Sequence, residues 1–192
     1  MRYELSTAPT GDVVEMADIL DHLRVTEESD YTYLAALNDR AVRWVERRTQ
    51  RQLLTATWKL YLDAFPAEIQ LRKLPVASVT SVQYVDLDGD TQTLSASYYQ
   101  TDYKSQDRPG RIMPAYGYSW PNTRSSIYNA VTVTFTAGYG TASDVPETIK
   151  HAIMMLVGHW YDHREAVDEV EFKPVPYAVD NLLSLDEWGY YY

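Results

Sequence analysis

The clearest pattern along the chain is a run of apolar residues at intervals of three and four. Ile149, Ala152, Ile153, Leu156, Val157, Trp160 and Tyr161 recur with the helical period and form one broad apolar stripe. The spacing predicts a core helix over 144–167. Asp144 and Glu147 stand in capping-box positions, and Pro146 falls in the first turn, where a missing N–H costs little. Met154 and Met155 on its flank suit core filling at least as well as partner binding. Two helical stretches precede it. Asp12 to Leu23 carries Val13, Met16, Leu20 and Leu23 on one side, behind a second capping-box pair, Asp12 and Glu15. Tyr31 to Arg51 buries Leu34, Leu37, Ala41, Trp44 and Val45. Acidic residues lie before it and Arg47, Arg48 and Arg51 at its end, as the helix dipole favours.

Between these helices the period changes to two. The runs 57–63, 69–72 and 79–85 are rich in β-branched and aromatic residues and are separated by Pro66 and Pro75, so they predict strands. Asp86-Leu-Asp-Gly-Asp90 predicts a hairpin turn into Thr91–Leu94, because Gly accepts the positive φ such turns need. Another strand is expected over 98–103. The best strand pattern is 129–137, with Val131, Val133 and Phe135 facing one way, after which Gly138-Tyr-Gly140 turns into the core helix. The stretch 104–129 is weak in pattern and holds Pro109, Gly110, Pro114, Gly117 and Pro121. It is long for a loop, and is expected to be functional, ordered by a partner or partly mobile. Beyond 167 the pattern is broken by Pro174 and Pro176, and 180–188 predicts one last short helix. A free aromatic ending would be an apolar liability, so Trp188, Tyr190, Tyr191 and Tyr192 are expected to dock on another surface or on the chain's own body.

Composition narrows the function more than the fold. A chain of 192 residues, 45% of them hydrophobic, can bury one sizeable core, so one domain over 1–192 is expected. Seventeen basic against 27 acidic residues give 17 − 27 = −10, which repels free nucleic acid on average and speaks against a stand-alone DNA binder. Arg40, Arg43 and Arg47 on the 31–51 helix are candidates to face a polyanion, against the plainer reading of a solvated basic face. The absence of Cys excludes a disulfide framework and any thiolate metal site, and fits assembly in a reducing cytoplasm. No apolar run reaches the roughly 18 residues of a membrane span, and the start MRYELSTAPT lacks a signal peptide's apolar region, so no membrane partner is expected. Seventeen tyrosines supply the large, polar-tipped contact area that interfaces use.

The chemical motifs are incomplete. His159 and His163 have the i, i+4 spacing of a metal pair, but Trp160 stands where a zincin needs Glu, and no third ligand is visible. Asp86, Asp88 and Asp90 imitate a calcium loop, yet Gly89 is misplaced and Ser97 holds the twelfth position. Gly138 to Ser143 has the outline of a dinucleotide turn without its third Gly or a βαβ repeat. Ser119 lacks the second Gly of a nucleophile elbow, and there is no P-loop. No catalytic, cofactor or metal residues are expected. The alternative kept open is a metal- or nucleotide-binding module or enzyme using His159/His163 or the Gly138–Ser143 turn.

The order of pieces carries more than any one motif. His22-Leu-Arg-Val25 closes a short helix, Thr57-Trp58 opens the first strand, and Pro75 to Val85 precedes an Asp-Gly turn. Arg111-Ile-Met-Pro114 follows with Gly117-Tyr-Ser-Trp-Pro121. Asn129 to Val133 then runs into Ala137-Gly-Tyr-Gly140, and Val145-Pro146 leads to Leu156-Val-Gly-His-Trp-Tyr161 and Arg164-Glu165. From about residue 10 to 185 this series resembles the head-tail connector (adaptor) family of long-tailed bacteriophages. The resemblance implies an α+β fold in which N- and C-terminal helices form a bundle, with a β-rich insertion between the second and third major helices. The helical part would span 10–54, the insertion 55–140, the core helix 144–167 and the tail 168–192. It also implies a structural, non-enzymatic virion protein at the head-tail junction, assembled in the host cytoplasm. Such a protein forms a ring of about twelve copies to match a portal. The implied partners are other copies, the portal, a stopper or tail-completion protein, and passing double-stranded DNA without sequence specificity. Candidate portal or neighbour contacts are Tyr116, Tyr118, Trp120, Trp188, Tyr190, Tyr191 and Tyr192. An acidic chain suits a DNA conduit, because a wall that bound phosphate strongly would hold the genome back. A stopper or tail-terminator subunit is the rival within the particle; both are typically smaller and mostly β, which the four expected helices oppose.

Overall fold

A computed structural model describes residues 1–26, 28–105, 108–163 and 177–184. Among them the chain is mixed α+β, with four α-helices and two antiparallel sheets. It divides into two compact units, each assembled from two separate stretches: 1–10 with 54–139, and 11–53 with 140–192.

The first unit is all β. Its strands are β1 (Arg2–Thr7), β2 (Ala56–Leu62), β3 (Ile69–Leu71), β4 (Val76–Val85), β5 (Thr91–Leu94), β6 (Tyr99–Asp102), β7 (Gly110–Pro114) and β8 (Val131–Ala137). Five form one sheet in the order β1-β2-β8-β4-β5, and three form another in the order β3-β7-β6. Alternation decides which side chains go inside. On β8, Val131, Val133, Phe135 and Ala137 are buried, while Thr132, Thr134 and Thr136 face the other way. Register aligns Leu60, Val133 and Val82 across three strands. The second sheet adds Ile69, Leu71 and Ile112 to that core. Burying each such side chain is worth about 1.5–3 kcal/mol, so the shared core is what holds the two sheets together. Tyr3 adds a polar latch. Its hydroxyl donates to the Gln70 carbonyl at 3.1 Å and accepts the Arg72 N–H at 2.9 Å, tying β1 to the free side of β3. Burial pushes the Tyr3 phenol above its usual range, against the lowering effect of Arg72.

The second unit holds α1 (Met16–Leu23), α2 (Tyr31–Thr49), α3 (Glu147–Asp162) and α4 (Tyr177–Ser184). α3 packs against the other three helices. Its Ile149, Ala152, Ile153, Leu156 and Val157 are fully buried, as are Leu34, Ala41 and Val45 of α2 and Val179 of α4. Gly158 lets α1 come close, for a Cβ there would lie 3.1 Å from Leu23 Cδ2. Polar contacts add to this packing: Asn38 Nδ2 donates to the Val14 carbonyl at 3.1 Å, Arg48 meets Asp180 at 3.3 Å, and the Tyr161 hydroxyl donates to Asp30.

Several boundaries differ from those the sequence predicts. α1 begins at Met16, not Asp12, and its N-cap Glu15 makes no side-chain cap. Val13 and Val14 are buried and the Val14 carbonyl is taken by Asn38, so tertiary packing holds this stretch out of the helix. The capping box lies one step earlier than expected, joining Thr141 and Asp144 around a 3-10 turn at Ala142–Asp144. Asp144 is thereby engaged, and α3 starts after Pro146 with no side-chain cap. α3 ends at Asp162, and the expected continuation over 164–167 lies outside the described residues. The long helix stops at Thr49 because Gln50 takes the left-handed conformation, with φ 58°. Two strands escape prediction. β1 supplies the edge of the large sheet from outside 55–140, and β7 lies within the stretch 104–129.

Candidate functional site

The three-stranded sheet presents a tyrosine cluster at one end. Beyond the Tyr99–Pro114 pair the ladder continues with the Ala115 N–H donating to the Tyr98 carbonyl at 3.0 Å. The Tyr118 N–H then donates to the Ala115 carbonyl at 2.9 Å and closes a turn that lifts Tyr116 into solvent. Tyr116 is 102% exposed, Tyr118 54% and Tyr98 43%, and the rings of Tyr98 and Tyr118 lie 4.8 Å apart. Met113 on the same hairpin is exposed as well. The neighbouring charges neutralise one another: Arg111 reaches Asp102 at 2.6 Å and Glu68 at 3.8 Å. The Arg111 hydrogen bond holds the Asp102 carboxyl below its usual range. The cluster is therefore amphipathic surface of the kind that contributes at interfaces.

Trp120, grouped with these residues by sequence, belongs elsewhere. It stacks on Phe65 with ring centroids 4.6 Å apart and planes 9° from parallel, on the flank of the β core. Its indole N–H is buried and finds no hydrogen-bond acceptor among the described residues. Trp188, Tyr190, Tyr191 and Tyr192 lie outside the described residues. Sequence reasoning passed over Tyr98 and Met113. Both stand in or beside short strands whose alternation would have marked one side chain in two as outward.

Arg40, Arg43 and Arg47 are all exposed on α2. They are not equivalent, since the Arg40 guanidinium sits 4.7 Å from the centre of the Trp160 ring, a cation–π contact within the helical unit. Arg43 and Arg47 extend the stripe into solvent one turn apart.

The weaker chemical motifs resolve into structural roles. Asp86 Oδ1 accepts the N–H groups of Asp88, Gly89 and Asp90 at 3.1, 3.0 and 2.9 Å, and Oδ2 accepts from Gln92 at 2.8 Å. Those bonds, that of Gln92 first, hold the Asp86 carboxyl below its usual range and use it as the brace of a hairpin turn. At the Gly138 turn, a Cβ would lie 2.5 Å from the Leu54 carbonyl oxygen, so glycine there permits close backbone packing. The Thr141 N–H already donates to Asp144 Oδ2 at 2.8 Å, which puts a carboxylate where a phosphate would have to sit. His159 and His163 lie with rings 4.7 Å apart, and His163 Nδ1 is 2.9 Å from the His159 carbonyl. Burial, reinforced by His163 and opposed by Asp162, lowers the His159 pKa. Among the described residues no group of three His, Cys, Asp or Glu side chains is arranged to hold a metal ion.

Neither a family model nor a curated protein matches the chain. Solved structures do. A chain in the neck of an empty GTA particle, computed with C6 symmetry, is similar with TM-score 0.79 and 26% identity, covering 98% of this chain and 96% of that one. A chain in the virion of a native gene transfer agent (GTA) particle is similar with TM-score 0.78 at the same identity and coverage. The neck of a native GTA particle computed with C12 symmetry contains a chain with TM-score 0.75, again 26% identical over 98% and 96% of the two chains.

Proposed function

We propose that this chain is a structural neck protein of a phage-like particle and has no enzymatic role. The observation that carries the reading is the likeness to GTA neck chains over 98% of its length, at an identity of 26%. A match of that extent takes in both stretches of both units, so it is not the likeness of one common motif.

In finer terms the chain acts as a head-tail adaptor. Its N- and C-terminal helices form one bundle carrying the β-rich part as an insertion, and residues 1–192 work as a single connector subunit. Copies form a ring that joins the portal to a stopper or tail-completion protein and lines the path of double-stranded DNA. Tyr116 and Tyr118, together with the ending Trp188 and Tyr190 to Tyr192, contact the portal or a neighbour, and Arg43 and Arg47 face the polyanion. Assembly takes place in the host cytoplasm and the product stays in the virion.

Electron microscopy with mass measurement, on the purified protein alone and mixed with the portal of the same genome, tests this. A ring stacked coaxially on the portal is expected. A protein that stays monomeric and ignores an intact portal would remove the adaptor role. The double substitution Tyr116→Ser with Tyr118→Ser is expected to weaken stacking while leaving the fold within about 0.5 kcal/mol, since both side chains are surface-exposed.

A further inference from the structure

The Tyr116 side chain stands wholly in solvent, so it contributes nothing to the core. The backbone beneath it is nevertheless fixed. The Tyr118 N–H donates to the Ala115 carbonyl at 2.9 Å, Gly117 has φ 82°, and Tyr116 is not left-handed, which together define a type II turn with Tyr116 and Gly117 at its centre. The turn grows from the end of the β6–β7 ladder through the Ala115 N–H and the Tyr98 carbonyl, and the Tyr98 ring, 4.8 Å from that of Tyr118, braces its far leg.

The third position of such a turn requires positive φ, hence Gly117. At Gly138 glycine also saves space, for a Cβ would collide with the Leu54 carbonyl; at Gly117 a Cβ would meet nothing within 4 Å. Glycine is needed here for the direction of the chain alone. A turn fixed in advance, on which nothing packs, holds a large aromatic ring where a partner can take it at little cost in ordering entropy.

Charge indicates which partner. The chain carries a net charge of −10, so copies repel on average and meet most readily where charge is locally absent or balanced. Although 23% of its residues are charged, none lies in 91–101 or in 112–123, the two stretches that the Tyr98–Ala115 and Tyr99–Pro114 pairings set side by side. These stretches reach the surface, since residues 95–98 and 116–119 are all exposed. At their border Asp102 and Glu68 share Arg111.

We propose that the turn 115–118 is a preset knob by which one copy of the chain seats on the next, with Tyr116 as its anchor and Gly117 as the positioning residue. Tyr98 and Tyr118 widen the contact with rings that carry a polar tip. A knob that enters a different surface of its neighbour makes a head-to-tail contact, the kind that closes into a ring. The inference rests on the proposed ring.

Mass measurement of the full chain over a range of concentrations, with urea unfolding of each variant beside it, tests it. Gly117→Ala is expected to weaken association about tenfold, because a residue with a Cβ either bears the left-handed strain or lets the turn flip and carry Tyr116 away. The urea midpoint should hardly move, since nothing packs on that position. Gly117→Asn, whose side chain tolerates left-handed φ, should restore most of the association. Tyr116→Ser should weaken it at least as much as Gly117→Ala, again at an unchanged midpoint. A benzophenone amino acid placed at position 116 should give, in a mixture with the portal, a photoproduct with the mass of two copies. Rings that form at the same concentration with Gly117→Ala or Tyr116→Ser as without them would overturn the knob and leave the ring standing. A photoproduct of one copy with the portal would overturn the contact between copies and leave the neck role standing. A midpoint lowered by Gly117→Ala and equally by Gly117→Asn would overturn the positioning role, making Gly117 a structural residue. A chain monomeric at every concentration, with and without an intact portal, would end both the knob and the ring.

Discussion

The two units present opposite surfaces built from the same raw material. Strands β3, β7 and β8 of the β unit bury every second residue, so Arg111 stands outside as readily as Ile112 lies inside, and Thr132, Thr134 and Thr136 turn away from the core that holds Val133. What it leaves unfinished is at its margins: a strand edge on β6 and the tyrosines at the end of the three-stranded sheet. The helical unit closes its apolar stripes on one another around α3, and charge, Arg43 and Arg47 among it, stands outside along with the exposed ring of Tyr177. The contrast teaches that contact surface here follows from secondary structure. Sheets end in unpaired backbone and exposed rings; helices satisfy their backbone internally and offer only side chains.

Core lesions should separate the units most strongly. Phe135→Ala is expected to cost about 4 kcal/mol and Leu156→Ala about 3 kcal/mol, since both side chains are fully buried. Amide exchange should show the loss chiefly in β2, β4 and β8 for the first and in α2 and α3 for the second. If each lesion loosened both units equally, the comparison would dissolve into one cooperative body. Tyr3→Phe should cost about 1 kcal/mol, because one hydroxyl serves both the Gln70 carbonyl and the Arg72 N–H. Urea denaturation should show that decrease with little change in slope, and exchange should quicken in β3 before β8. An unchanged midpoint would mean that the core alone sets how the two sheets meet.

Acid should act on the units in different ranges. His159 has a pKa lowered from 6.5, so the unfolded chain takes up its proton first. The helical unit is thus expected to lose stability as pH falls from about 6.5 towards the folded value, with no further loss from this group below it. Asp86 is depressed from 3.8, so its contribution is complete above that value and disappears only as pH falls through the lower folded one. A melting temperature for α3 that is flat from pH 7 to pH 5, or that stays equally pH-dependent in His159→Gln, would break this distinction.

Period was the most readable quantity in the sequence. Val131 to Ala137 and Ile149 to Val157 announce a strand and a helix because burial imposes alternation on one and a stripe on the other. Thr91–Leu94 is found at its observed limits, since Asp86 to Asp90 encode the turn before it. Several of the failures come from partners far away in sequence. Arg2–Thr7 is a strand because β2 is there to pair with, and Val13 and Val14 leave the helix because Asn38 and the core claim them. Trp120 lies among exposed tyrosines in the sequence, and only Phe65 makes it a packing residue. Of the proposed contact residues, Tyr116 and Tyr118 are exposed, and the Arg40 guanidinium lies over the Trp160 ring.

The chain passes between its units three times, near residues 10, 53 and 139. A gene encoding such a path resists being shuffled in pieces. No single cut yields two fragments that each hold a whole unit, because any fragment long enough to contain one unit also carries part of the other. A gene built this way would be inherited whole or altered residue by residue, and surface change would accumulate at single positions such as Tyr116 and Arg47.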